Sequence, residues 1–136
     1  MGEALSLEDE RRISATILRY ADSIDRRDWT AFRSCFTDDV QAVYHEVGAW
    51  QGLDSFAADF EEIHLGFGPS LHRTTNITFD LSGGTTSTRC YVDVVLNRMR
   101  PAKGAVHECG FYEDTWVEVD GAWKMSRREY TPVHRF

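Results

Sequence analysis

The feature that most constrains this chain is a change of hydrophobic period at Leu71. Before it, apolar residues recur at helical spacing; after it they alternate with a period of two through residues 71–81, 85–97, 105–119 and 122–133. Ser82-Gly83-Gly84, Arg100-Pro101-Ala102-Lys103-Gly104 and Asp120-Gly121 separate these segments as turns, which predicts four long strands in an antiparallel meander. Upstream, Ser6 with Asp9 forms a variant capping box that opens a helix running to about Asp25. Asp28 caps a shorter helix over 29–35, so that Trp29, Phe32 and Phe36 bury against the first. Residues 40–47 read as a strand ending at Gly48. Gly52-Leu53-Asp54 opens a third helix, on which Phe56, Phe60 and Ile63 keep helical spacing and which stops at Gly66 to Pro69. Helices first and long strands afterwards predict an α+β fold, an α+β barrel or cone in which one curved, mixed or antiparallel sheet wraps around three N-terminal helices. With 136 residues and no linker or repeat, a single domain over 1–136 is expected.

Composition narrows the partners. A net charge of −7 leaves no basic footprint for nucleic acid or anionic lipid, so neither nucleic acid nor membrane is an expected partner. No run approaches a membrane span, and the acidic stretch from Met1 to Glu10 has no apolar core of a secretion signal, so a cytoplasmic location is expected. Cys35, Cys90 and Cys109 are odd in number and widely spaced, which reads as three reduced, mostly buried thiols. Without CxxC, HExxH or a glycine-rich phosphate loop, no metal and no cofactor is expected.

An acid sits where the first helix should be apolar. At about 100° per residue, Ile13, Ile17, Leu18, Tyr20, Ala21 and Ile24 fill one arc, and Asp25 falls inside it near the Leu18 edge. Burying a carboxylate is costly unless it is partnered. Asp25 either ends the helix and caps the next or is held for a purpose. Long strands closing over three short helices leave a conical cavity, and Tyr20, Asp25, Tyr44, His72, Asn97, Tyr112 and Arg128 are expected to point into it. So many inward polar groups suit a site for a small polar or phenolic molecule better than a purely structural core.

Tyr20-Ala-Asp-Ser-Ile-Asp25-Arg-Arg-Asp-Trp29, Phe36-Thr-Asp-Asp-Val40, Leu71-His72 and Asp120-Gly-Ala-Trp-Lys124, in this order and spacing, resemble the SnoaL-like branch of the nuclear transport factor 2-like superfamily. Its enzymes include scytalone dehydratases, bile-acid 7α-dehydratases and hexachlorocyclohexane dehydrochlorinases. The resemblance implies a catalytic dyad of Asp25 and His72, in which the carboxylate fixes the imidazole tautomer and the free ring nitrogen moves a proton. It places Tyr20 in the pocket as a further catalytic residue. It gives substrate-binding positions to Tyr44, to Ile24 and Asn97 (where scytalone dehydratases have a tyrosine and a second histidine), to Tyr112, and to Arg128 or its neighbour Arg127. Trp50, after a strand end near the pocket mouth, reads as a lid or an interface residue. Trp29, Trp116 and Trp123 read as packing, and His45, His64, His107 and His134 as surface or rim residues.

The resemblance implies a cofactor-independent lyase of the dehydratase type acting on a small hydrophobic ring compound. An isomerase or polyketide cyclase would use the same site. A different class, a non-catalytic binding or oligomerisation domain like the small subunit of ring-hydroxylating dioxygenases, shares the fold. An enclosed cavity containing Asp25 and His72 within hydrogen-bond reach would favour an enzyme, and one filled by aromatic side chains would favour a module. Apolar alternation on the outer sheet face predicts a homo-oligomer, a trimer or a dimer.

Overall fold

The computed structural model describes residues 4–136; residues 1–3, part of the acidic N-terminal stretch, lie outside the described residues. Ser6 Oγ accepts the Asp9 N–H at 3.0 Å and starts α1 (Leu7–Asp25), and Asp28 accepts the Ala31 N–H at 3.0 Å and starts α2 (Trp29–Ser34). The hairpin of β1 (Phe36–Tyr44) and β2 (Gly48–Gln51) leads to α3 (Leu53–His64). Then follow β3 (Phe67–Ser82), β4 (Thr85–Arg98), β5 (Ala105–Val119) and β6 (Ala122–Arg135). The sheet order is β2-β1-β6-β5-β4-β3. The last four strands are the expected antiparallel meander, but β1 runs parallel to β6, with Tyr44 opposite Tyr130. The sheet is therefore mixed and unclosed, with β2 and β3 as its edges, and the three helices pack on its inner face in an α+β cone.

Three boundaries differ from the expectation, each for a physical reason. β1 begins at Phe36, four residues early, because the polar Thr37, Asp38 and Asp39 lie where the pairing with β6 slips between Phe36 and Gln41. β2 was not expected, since four residues are too few for alternation to declare a strand. β3 begins at Phe67 and runs through Gly68 and Pro69, which read as a stop. Its pairing with β4 jumps from Phe67 to Ser70, so the missing Pro69 N–H removes no ladder bond.

The core joins helices to sheet through Phe32, Phe36 and Phe56, whose ring centroids lie 5.2–5.3 Å apart. Leu18 departs from the expected arc and is exposed, so α1 meets solvent along this edge. Trp116 is buried and donates to Thr88 Oγ1 at 2.8 Å, and the half-buried Trp123 donates to Asp9 at 3.0 Å. Gly110 sits where β5 and β6 slip register, and a Cβ there would run into the Thr131 carbonyl. Cys35 and Cys90 are buried free thiols, pushed up to about 11 by burial, and Cys109 is a half-buried free thiol. The outer sheet face is more mixed than alternation suggested: Leu71, Tyr91 and Val133 are exposed on it, but so are Arg73 and Arg89. Among the described residues no helix is long and apolar enough to cross a membrane.

Candidate active site

The last residue of α1 meets an inward residue of β3. Asp25 Oδ1 lies 2.7 Å from His72 Nδ1, and Asp25 Oδ2 accepts the His72 backbone N–H at 2.8 Å. Ser70 Oγ donates to Asp25 Oδ1 at 2.8 Å. The Asp25 side chain is 18% exposed and that of His72 only 7%, so the acid stands at the rim, behind the imidazole. Burial opposes ionisation of Asp25, but the hydrogen bonds and charge of His72, with Ser70, outweigh it and hold the carboxyl below its ordinary value. An ionised carboxylate only accepts, so Nδ1 carries the shared hydrogen, and Nε2 is the ring nitrogen free to take or give a proton.

Arg27 fixes this junction. It follows α1 with a φ of +57°, and its Nη1 donates to the Ile24 carbonyl and, at 2.9 Å, to Ser70 Oγ, while Nη2 donates to the Gly68 carbonyl. One guanidinium thus ties the end of α1 to the start of β3, and Ser70 passes the restraint to Asp25. The motif around Asp25 contained Arg27, but nothing in its spacing distinguished it from the surface Arg26, which pairs with Asp22 at 2.8 Å.

His72 opens onto a cavity of about 250 Å³ between sheet and helices. His72, Val94, Glu108 and Arg135 are successive cross-strand partners from β3 to β6 and form one wall. Tyr20, Tyr44 and Tyr112 form another, with the Tyr20 and Tyr44 hydroxyls 2.5 Å apart. Burial raises all three phenols above their ordinary values, against a lowering pull on each from the Arg128 charge, so they stay protonated. Tyr130 donates to Glu108 at 2.6 Å, and Arg135 donates to the same carboxylate at 2.6 and 3.0 Å.

Several expected positions fall elsewhere. Asn97 is exposed and donates to the Pro69 carbonyl at 2.8 Å, because the inward residues of β4 are Val92, Val94 and Leu96 and the next residue turns out. Ile24 is fully buried in the core rather than on the cavity wall. Trp50 is half-buried behind Tyr44, tilted against Phe56 and edge-on to Phe60, with its indole N–H on Asp59 at 2.8 Å, so it does not cover the cavity. Arg128, not Arg127, is the inward arginine, yet it is sealed behind the phenols: its guanidinium lies 3.6 Å from the Tyr112 ring centroid and 4.3 Å from that of Tyr20. Two bonds of 2.7 and 2.8 Å tie it to Asp114, which is equally buried.

His45 and His107 are surface residues paired with Glu129 and Asp93, and His134 is exposed. His64 departs from its expected rim position: it is buried, and it lines the cavity. Its signal was present, since it follows Phe56 and Phe60 at intervals of four on the apolar face of α3. Glu108 was likewise legible as an even-numbered neighbour of the inward Tyr112 on β5.

A family profile described as a SnoaL-like domain matches residues 5–129. No curated protein matches the sequence. Among solved structures, a candidate scytalone dehydratase from Novosphingobium aromaticivorans superposes with a TM-score of 0.87 at 25% identity, over 96% of this chain and 87% of that one. The hexachlorocyclohexane dehydrochlorinase LinA-type3 from Novosphingobium barchaimii superposes with a TM-score of 0.84 at 16% identity, over 96% and 90%. A protein of unknown function with a cystatin-like fold from Nostoc punctiforme does so with 0.80 at 18%, over 96% of each chain. The latter two matches establish the fold alone.

Proposed function

The chain belongs to the SnoaL-like domain family, and we propose that within it this protein is a cofactor-independent lyase that eliminates water, or another small leaving group, from a hydrophobic ring compound. The observation that carries this reading is the His72 ring, tied by Nδ1 to Asp25 at 2.7 Å and opening onto a cavity that aromatic side chains line but do not fill. The free Nε2 takes a proton from a ring carbon beside a carbonyl. The electron pair left on carbon becomes a carbon–carbon double bond as the bond to the leaving oxygen breaks, and the His72 imidazolium gives its proton to that oxygen, which leaves as water. Asp25 holds the ring in the productive tautomer and stabilises the imidazolium formed in the step. Tyr20, Tyr44 and Tyr112, kept neutral by burial, supply hydrogen bonds to the oxygen on which negative charge develops. The resemblance of the N. aromaticivorans structure, described as a candidate scytalone dehydratase, supports the same reading.

An isomerase or cyclase would begin with the same proton abstraction, so the shared step is tested first. The protein is incubated with 2-tetralone, a two-ring ketone with acidic α hydrogens, in D2O. Protein-dependent deuteration at the α carbon, followed by NMR, is the expected result, and exchange no faster than in buffer would overturn the assignment of His72 as a base. A cyclic β-hydroxy ketone then separates elimination, read as enone absorbance, from isomerisation or cyclisation.

A further inference from the structure

The cavity contains a second imidazole. His64 ends α3, is 7% exposed, and holds Nδ1 2.7 Å from the Phe60 carbonyl oxygen. A carbonyl only accepts, so Nδ1 carries the hydrogen. Burial disfavours the charged ring and lowers its pKa, so the ring is neutral near pH 7 and Nε2 has no hydrogen. Rings on three sides, Trp29, Phe60 and Phe67 with centroids 5.4–6.2 Å away, hold the imidazole in place. Among the described residues Nε2 finds no partner, yet it is not sealed off. Among the described residues Arg128 Nη1 is the one unpartnered side-chain nitrogen or oxygen shut away from solvent.

A fixed acceptor with no internal partner selects its ligand by polarity. A ligand hydroxyl placed there completes a hydrogen bond, whereas an ether oxygen or a C–H displaces solvent from Nε2 and gives nothing back. The rest of the cavity offers mainly apolar surface: Ile63, Phe67, Val94, Leu96 and Val106 surround the two imidazoles.

We propose that His64 is a substrate-contacting residue whose Nε2 accepts a hydrogen bond from a ring hydroxyl, so that the cavity takes phenols or ring alcohols in preference to their ethers. This specificity rests on the cavity assigned above as the active site, but not on any proton transfer by His72.

The test is therefore a binding measurement with two probes that differ only in the donor, 2-naphthol and 2-methoxynaphthalene. The wild-type protein is expected to bind the naphthol about tenfold more tightly, the net worth of one good hydrogen bond. His64→Leu should reduce that advantage to within about twofold while leaving the ether's affinity in place, and His72→Gln should retain it. In wild-type protein labelled with 15N-histidine, the resonance of the unprotonated His64 Nε2 should move on addition of naphthol and stay still with the ether. Equal binding of the two probes, binding of neither, an undiminished naphthol advantage in His64→Leu, or an unmoved Nε2 resonance overturns the proposal. Failure of α-carbon exchange with intact naphthol selectivity would instead refute the lyase reading alone.

Discussion

Replacing Asp114 by Asn would test whether the inward arginine belongs to the frame of the site or to its chemistry. Arg128 and Asp114 are fully buried and joined by two hydrogen bonds of 2.7 and 2.8 Å, while Arg128 Nη1 has no partner among the described residues. Desolvation works against the guanidinium charge, and the Asp114 carboxylate more than compensates, so Arg128 stays charged. Asp114→Asn keeps the shape but leaves an uncompensated buried cation. Breaking a buried pair from one side costs about 3–5 kcal/mol, which for a domain of this size is a fall in Tm on the order of 10–20 °C. The stacking of the guanidinium on Tyr112 and Tyr20 survives this substitution, so it cannot offset the loss. Removing both charges with Arg128→Met and Asp114→Leu should recover most of the stability, because each charge was buried only for the sake of the other. Urea denaturation followed by tryptophan fluorescence gives the free energy of each variant and, with Arg128→Met and Asp114→Leu also measured singly, their coupling. A cost below about 1 kcal/mol for Asp114→Asn, or a double variant no more stable than the single ones, would refute the reasoning. The same double variant should still bind 2-tetralone, since Arg128 lies behind the phenols rather than on the cavity wall.

Ser70→Ala removes the link between Arg27 and Asp25 without touching the cavity wall, and is expected to lower the 2-tetralone exchange rate by about tenfold with unchanged affinity for the ketone. A rate equal to wild type would show that Asp25 needs no such support. Lowered folded-state values for His64 and Asp25 mean that the stability each contributes is present above its ordinary value, 6.5 and 3.8, and is lost as pH falls through the folded value. Urea denaturation between pH 7.5 and 5 should therefore show a decline that is shallower in His64→Leu than in wild type, and equal slopes would contradict the burial argument. Leu71, Tyr91 and Val133 on the outer sheet face lead us to expect a homo-oligomer, a trimer or a dimer, and a monomeric mass by light scattering at micromolar concentration would exclude it.

The period change at Leu71 and the caps at Ser6 and Asp28 carried most of the fold, because both are local signals. The parallel pairing of β1 with β6 was not legible, since it joins segments about 85 residues apart and nothing in β1 itself selects its partner. At the site, helical periodicity placed Asp25 inward, but its pairing with His72 was legible only through the family resemblance. Asn97 failed by a single residue: near the end of β4 the parity decides everything, and Leu96 holds the inward place. Arg128 pointed inward as expected, but whether an inward arginine reaches the cavity or stops behind it depends on Tyr20 and Tyr112, which come from two other elements. His64 was overlooked because a polar residue type outweighed its place on the apolar face of α3.

The central claim is that His72, held by Asp25, removes a proton from carbon, and the most direct measurement is α-carbon deuteration of 2-tetralone by wild type, His72→Gln and Asp25→Asn at matched concentration, alongside their melting curves. Both variants should stay folded, because Gln can still donate toward Asp25 and Asn leaves no buried charge. Both should lose roughly two to four orders of magnitude in rate, the usual range for a general base. Exchange at near-normal rate in a folded His72→Gln protein would contradict the account.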